Sequence, residues 1–250
     1  MTFISYAQNF EDIMLWRAFK HIENGFYIDV GAWSPDLDSV TRAFYEKNWR
    51  GINIEPNPKF HEQLVQRRAS DINLKVAISD RESSMEMNLL ENPGLSTLDD
   101  AIAAQHQLAG WKVCRQTVKV TTLQKVWQEH VPAGQAVHFL KVDVEGFEGS
   151  ALHGVDWEQH RPWVVVVEAT LPMSQVDSYA DWEPILLAAR YQLAYADGLN
   201  RFYVAKEHAA ELLLSFKYPP NVFDGFKLMS QLEAEAKAEQ AEAKAQQAEA

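Results

Sequence analysis

The run Lys141-Val142-Asp143-Val144-Glu145-Gly146-Phe147-Glu148 puts four ionisable side chains at the end of an apolar segment. Charged groups there are costly unless paired or coordinated. In an extended chain Asp143 and Glu145 alternate to the same side. Glu168 closes a second apolar run, Trp163–Val167, which a parallel sheet would set beside the first. Three carboxylates then converge. An all-oxygen set suits a hard divalent cation, Mg²⁺, Mn²⁺ or Ca²⁺, with Asp143 and Glu168 as the expected ligands. The competing reading makes Glu145 a metal-free general base while Lys141 neutralises its neighbour. A purely structural Lys–carboxylate network at a helix start is the third. Asp143, Glu145 and Lys141 are therefore the catalytic candidates, and His153 is expected on a helix surface.

A second group lies upstream. Asp29-Val30-Gly31-Ala32 ends an apolar stretch in a glycine, which lets the backbone turn sharply and approach a ligand. Glu55, followed by Pro56, stands 26 positions after Asp29. An acidic residue at about this spacing accepts hydrogen bonds from ribose hydroxyls. Its bland alternative is a loop carboxylate capping the helix near Pro58. Gly31 is followed by Ala-Trp-Ser-Pro-Asp, so the phosphate-cradling Gly-x-Gly-x-x-Gly is missing. That argues against NAD and for a nucleoside without pyrophosphate, such as S-adenosylmethionine.

The elements that must position these residues alternate in type. Strands are predicted at Phe26–Val30, Gly51–Glu55, Ile72–Ile78, Phe139–Val144 and Trp163–Glu168, with an extra one at Met85–Leu90. Helices are predicted over 1–24, 39–48, Pro58–Ala69, Leu123–Glu129 and Gln175–Arg190, with loop and insertion over 91–116. Gln192–Ala196 and Arg201–Val204 flank Asp197-Gly198-Leu199-Asn200, a hairpin signal. The expected fold is α/β: a doubly wound, mostly parallel Rossmann-like sheet with a terminal antiparallel hairpin, plus a C-terminal helix, a layout that resembles that of class I methyltransferases.

Composition sets outer limits. The 250 residues are 47% hydrophobic, enough for one sizeable core and an appendage. No apolar run reaches the length of a membrane span, and the first ten residues do not read as a secretory signal. The single cysteine, Cys114, excludes a disulfide framework and points to the cytoplasm. A net charge of −12 gives no pull toward nucleic acid. Domain limits are placed at 1–217 for the catalytic unit, 218–227 for a Pro/Gly-marked linker and 228–250 for an alanine-rich helix. Ala234–Gln240 recurs almost unchanged as Ala241–Gln247, a seven-residue period that is either a weak coiled coil or a solvated helix. The chain stops inside this repeat, which points to a longer polypeptide.

Several blocks, taken in order, resemble the FkbM-type S-adenosylmethionine-dependent methyltransferases. They are Tyr6-Ala-Gln-Asn-Phe-Glu-Asp12, Tyr27–Ala32, Trp49–Pro58, Ser96-Thr-Leu98 and Leu140–Gly146. The family's commoner Gly-Ala-Asn-x-Gly loop is here Gly31-Ala32-Trp33-Ser34-Pro35. The resemblance implies O-methylation, often of sugar or polyketide hydroxyls. It implies that Asp29, Gly31 and Glu55 (with Pro56) hold the donor, that Ser79 and Asp80 lie near the adenine and that Gln8 closes over the site. It places Asp143, Glu145 and Glu168 at the acceptor.

The resulting expectation is an O-methyltransferase for a sugar hydroxyl in polysaccharide or glycan biosynthesis. Its alternatives are a natural-product O-methyltransferase and a donor-binding scaffold that recruits a glycosyltransferase. A glycan acceptor, a glycosyltransferase partner or fused domain, and self-association through the C-terminal helix are the expected partners. Trp33, Trp111, Trp182 and Tyr195 are the candidate aromatic platforms for a sugar.

Overall fold

Apolar runs with no polar face must be covered on both sides, and the strands at 26–30, 139–142 and 164–168 are buried throughout. A computed structural model describes residues 2–90 and 96–249. The chain runs β1 (Phe3–Ser5), α1 (Glu11–Phe19), β2 (Phe26–Val30), α2 (Arg42–Glu46), β3 (Arg50–Ile54), α3 (Pro58–Arg67), β4 (Ile72–Leu74) and β5 (Ala77–Ile78). It continues with β6 (Ser83–Leu90), α4 (Asp100–Leu108), β7 (Val113–Thr121), α5 (Leu123–His130), β8 (Phe139–Val142), α6 (Glu148–His153) and β9 (Val164–Glu168). Then follow α7 (Glu183–Ala188), β10 (Tyr191–Ala196), β11 (Asn200–Ala205), α8 (Ala209–Leu212), β12 (Phe226–Leu228) and α9 (Met229–Glu249).

Seven strands form the main sheet in the order β10-β11-β9-β8-β2-β3-β4. The five from β9 to β4 are mutually parallel, and β11 and β10 join antiparallel. Ile28, Val30, Leu140, Val142, Val165 and Val167 face one core with α5, α6 and α7. Tyr27, Phe139, Val164 and Val166 face a second core with α1, α2 and α8. The chain leaves β2 outward to β4 and returns on the other side as β8. The crevice past the carboxyl ends of β2 and β8 is thus a switch point, where open α/β sheets bind ligands.

The structure corrects several expectations. The predicted helix over 1–24 begins only at Glu11, because Phe3–Ser5 pairs in parallel with Phe226–Leu228 and Phe10 takes a left-handed φ of +66°. The expected strand Ile72–Ile78 breaks at Lys75. Its first part stays in the main sheet, and Ala77–Ile78 joins a separate sheet of order β5-β7-β6. The stretch read as loop over 91–116 contains α4 and the start of β7, whose pairing with β6 is long-range; residues 91–95 lie outside those described. The helix predicted from Gln175 starts at Glu183, after a bridge between Thr170 and Asp177, with Pro184 in its first turn.

Residues 218–227, read as a linker, are fastened to the domain. The Arg17 guanidinium donates to the carbonyls of Tyr218 and Pro219 and to both carboxylate oxygens of Asp224. Among the described residues no helix is long and apolar enough to cross a membrane.

Candidate active site

The turn after β2 builds the floor. Gly31 has a φ of +78°. The N–H groups of Gly31 and Ala32 both donate to the Ile54 carbonyl, at 3.0 and 3.1 Å. A Cβ on Gly31 would lie 1.8 Å from the carbonyl oxygen of Asp143. Glycine is therefore needed both for the left-handed backbone and for the contact between the ends of β2 and β8.

Above this turn opens a cleft of about 270 Å³, lined by Gln8, Gly31, Trp33, Glu55, Pro56, Phe60, Ile78, Met87, Leu98 and Phe147 among others. The Glu55 carboxylate accepts the main-chain N–H of Asn57 at 2.7 Å and of Trp33 at 2.9 Å. Burial pushes its pKa up to about 7 against those two donors.

A second, more open recess of about 450 Å³ adjoins the cleft, with Glu168, Thr170, Met173 and Leu199 in its walls. The cleft and the recess share Gln8, Asp143 and Glu145. Where they meet, one carboxylate oxygen each from Asp143, Glu145 and Glu168 lies within 4.8 Å of the others. Asp143 Oδ2 is 3.2 Å from the Lys141 ammonium. Glu145 Oε2 and Glu168 Oε2 are buried without a hydrogen-bond partner. Burial, then the charge of Asp143, then that of Glu148 raises the Glu145 pKa. Burial, then Asp143 and Glu145, raises that of Glu168.

The loop carrying these groups is held in a strained form. Glu145 has a φ of +51°. The buried Glu148 carboxylate accepts the N–H of Val144 and of Gly146, and the Thr97 hydroxyl donates to the Glu145 carbonyl at 2.7 Å. Gln8 is placed by its neighbours. Asp12 accepts from the Ser5 hydroxyl and the N–H groups of Tyr6 and Ala7, and Glu11 accepts from Asn9 N–H and the Asn200 amide.

The structure thus brings together Gln8, Gly31, Glu55, Pro56, Lys141, Asp143 and Glu145 on one cleft, with Glu168 beside them. Asp29 lies behind the wall. It is 2% exposed, accepts from the Thr41 hydroxyl and sits 3.6 Å from Lys141 Nζ, so it holds the lysine. Ser79 and Asp80 are also off the wall. The break in the third predicted strand brings Val76, Ala77 and Ile78 to the cleft in their place. Ser79 N–H donates to Thr121, and its hydroxyl donates to Asp80.

Of the aromatic platforms, Trp33 lines the cleft, Trp182 is core, and neither Trp111 nor Tyr195 lines the cleft or the recess. His153 is exposed, as expected. Thr97, Glu148 and Thr170 were not assigned from sequence. Thr97 carried a signal through the Ser96-Thr-Leu98 block and Glu148 through the Lys141–Glu148 run; Thr170 carried none.

None of the proteins of curated function matches the chain. The chain does match the family described as the methyltransferase FkbM domain over residues 29–193, more than half of its 250 residues, and it belongs to that family.

Proposed function

We propose that this methyltransferase uses S-adenosylmethionine to methylate a sugar hydroxyl of a polysaccharide or glycan precursor. Its sheet is then the doubly wound, Rossmann-like sheet of class I methyltransferases, closed by an antiparallel hairpin. The observation that carries the reading is the shared wall: a nucleoside-sized cleft of mixed apolar and polar lining opens at Gln8, Asp143 and Glu145 onto a separate recess. Transfer between two bound molecules needs that adjacency. The open recess with its carboxylates suits a polyhydroxylated acceptor better than an apolar one.

The residues present fit the donor. Ile54, Pro56, Phe60, Ile78 and Leu98 offer an apolar slot. Each Glu55 oxygen accepts one main-chain N–H and keeps a lone pair for a ribose hydroxyl. The acidic surroundings suit a ligand whose sulfonium and ammonium outnumber its carboxylate. When bound, S-adenosylmethionine supplies a methyl group made electrophilic by the sulfonium.

The chain's own residues then have three tasks. Gly31, packed against the Asp143 carbonyl, fixes the ends of β2 and β8 under the cleft. Asp143, Glu145 and Glu168 hold the acceptor hydroxyl. Glu145, when ionised, takes its proton; the raised pKa strengthens that carboxylate as a base but leaves only a fraction of it ionised at neutral pH. Lys141 stays charged: burial lowers its pKa, but Asp143 and Asp29 outweigh burial and hold it above the usual lysine value. A divalent cation also fits. The donor set is all oxygen, with Glu145 Oε2 and Glu168 Oε2 lacking partners. Held by Asp143 and Glu168 beside Glu145, Mg²⁺, Mn²⁺ or Ca²⁺ would supply Lewis acidity and relieve the repulsion among the three carboxylates.

Calorimetry with S-adenosylhomocysteine tests the donor. The wild-type chain should bind it, and Glu55→Ala should weaken binding by roughly 1.5–3 kcal/mol, the range for hydrogen bonds to charged groups. Tight binding of NAD with none of S-adenosylhomocysteine would sink the reading. Transfer of labelled methyl from the donor onto a panel of mono- and oligosaccharides tests the acceptor class.

A further inference from the structure

Glu145 has a left-handed φ of +51°, and Gly146 follows it at +96°. That backbone is easy for glycine but costly at a glutamate, and such strain persists only where the surroundings hold it. An ordinary helical φ would swing the Glu145 side chain through roughly a third of a turn about its N–Cα bond. The carboxylate would then leave the place where cleft and recess meet. Whatever holds the strained form decides where this carboxylate stands.

Two buried side chains grip the main chain there. Glu148, at the start of the helix that follows, accepts the N–H of Val144 and of Gly146. The Glu145 carbonyl is held instead from 48 residues away. The Thr97 hydroxyl donates to it at 2.7 Å and accepts the Asp99 N–H at 3.0 Å. Thr97 is 0% exposed, and its main chain exchanges hydrogen bonds with Asn88 of β6 in both directions. The hydroxyl is therefore fixed in place. Ile102 of α4 closes on the same spot: a Cβ on Gly146 would lie 2.5 Å from its Cδ1. On either side of Thr97, Ser96 and Leu98 line the cleft. One short segment thus forms part of the cleft wall and grips the loop that carries Glu145.

We infer that Thr97 is the positioning residue for Glu145: its hydroxyl fixes the left-handed backbone that directs the carboxylate to the junction of cleft and recess. The inference rests on reading Glu145 as the group that takes the acceptor's proton. Thr97 is wholly buried and touches neither donor nor acceptor. Its loss lets the loop relax while Ser96 and Leu98 keep the cleft wall, so the effect falls on turnover and not on donor affinity.

The experiment compares the full chain carrying Thr97→Val, which removes the hydroxyl, with Thr97→Ser, which keeps it. Turnover is measured with labelled S-adenosylmethionine and the best acceptor of the saccharide panel. Thr97→Val should lower kcat on the order of a hundredfold, the size of effect for a catalytic group misplaced by about 1 Å. It should bind S-adenosylhomocysteine as tightly as the wild type does. Thr97→Ser should restore most of the lost kcat. In crystals, Glu145 should leave the left-handed region in Thr97→Val and stay there in Thr97→Ser. If Thr97→Val does not fold, Thr97→Cys, whose thiol is only a weak donor, gives the same comparison.

A merely structural threonine would lower the melting temperature and leave the kcat of the folded variant unchanged. That result, or a Glu145 that stays left-handed without the hydroxyl, overturns the assignment of Thr97 alone. If the wild type methylates nothing in the panel, the sugar reading fails instead, and the Glu145 backbone in the variant crystals still decides the role of Thr97.

Discussion

Asp29 and Lys141 stand side by side on adjacent parallel strands, and the lysine Nζ lies 3.6 Å from Asp29 Oδ1. The same ammonium reaches Asp143 at 3.2 Å and the Gly31 carbonyl at 3.3 Å. One cation therefore ties the turn after β2 to the loop after β8. Lys141→Met should leave buried carboxylates uncompensated and cost about 3–5 kcal/mol of stability, the range for a broken buried ion pair. Urea denaturation checks this. Adding Asp29→Asn to Lys141→Met should recover part of the loss; a double variant less stable than the single one would contradict the pairing.

Stability should fall as pH rises through neutrality. Burial raises the pKa of Glu11 from 4.5 to about 7, and burial does the same for Glu148. A raised carboxyl pKa means that the folded state favours the protonated form. The stabilisation is full below the unfolded value near 4.5 and is lost as pH passes through the folded value of about 7. The melting temperature should be higher at about pH 5.5 than at about pH 8, and Glu11→Gln should flatten that difference. A melting temperature that rises across the interval would refute the assignment.

Divalent cations should act at the carboxylate cluster. Mg²⁺ or Mn²⁺ should raise the melting temperature of the wild type, and Glu168→Gln should abolish the rise while S-adenosylhomocysteine still binds. EDTA should lower turnover, and added metal should restore it. Full turnover in protein shown by elemental analysis to be metal-free leaves Glu145 as a general base acting alone.

Truncation separates the tail from the domain. Removal of residues 230–250 should leave donor binding intact while changing any self-association through α9. Removal of 226–250 takes away the partner strand of Phe3–Ser5 and the Phe226 and Met229 side chains that pack against the Phe3 cluster. That shorter chain should melt several degrees lower and bind S-adenosylhomocysteine less tightly, since Gln8 follows β1. Loss of binding in the longer truncated chain would move the domain boundary into α9.

The sequence by itself determined the alternation of strands and helices and put carboxylates at the strand ends. The Asp-x-Glu spacing after an apolar run made Asp143 and Glu145 legible as candidates, and Gly31 and Glu55 as the edges of a cleft, but the expected strand over 139–144 ends at Val142, and the left-handed backbone at Glu145 rather than strand alternation sets how the pair meets. Five apolar strands ending in polar residues left few other arrangements. Tertiary structure alone decided the rest, because the interactions responsible join residues far apart in the chain. Phe3–Ser5 is a strand only because Phe226–Leu228 lies beside it. Val76–Ile78 replace Ser79 and Asp80 on the wall because β5 pairs with β7 rather than continuing β4. Asp29 is withdrawn from the ligand by register, which sets it against Lys141. Thr170 reaches the recess through a bridge to Asp177 that no local propensity encodes. Local pattern fixes which face a side chain takes, and long-range pairing fixes what that face meets.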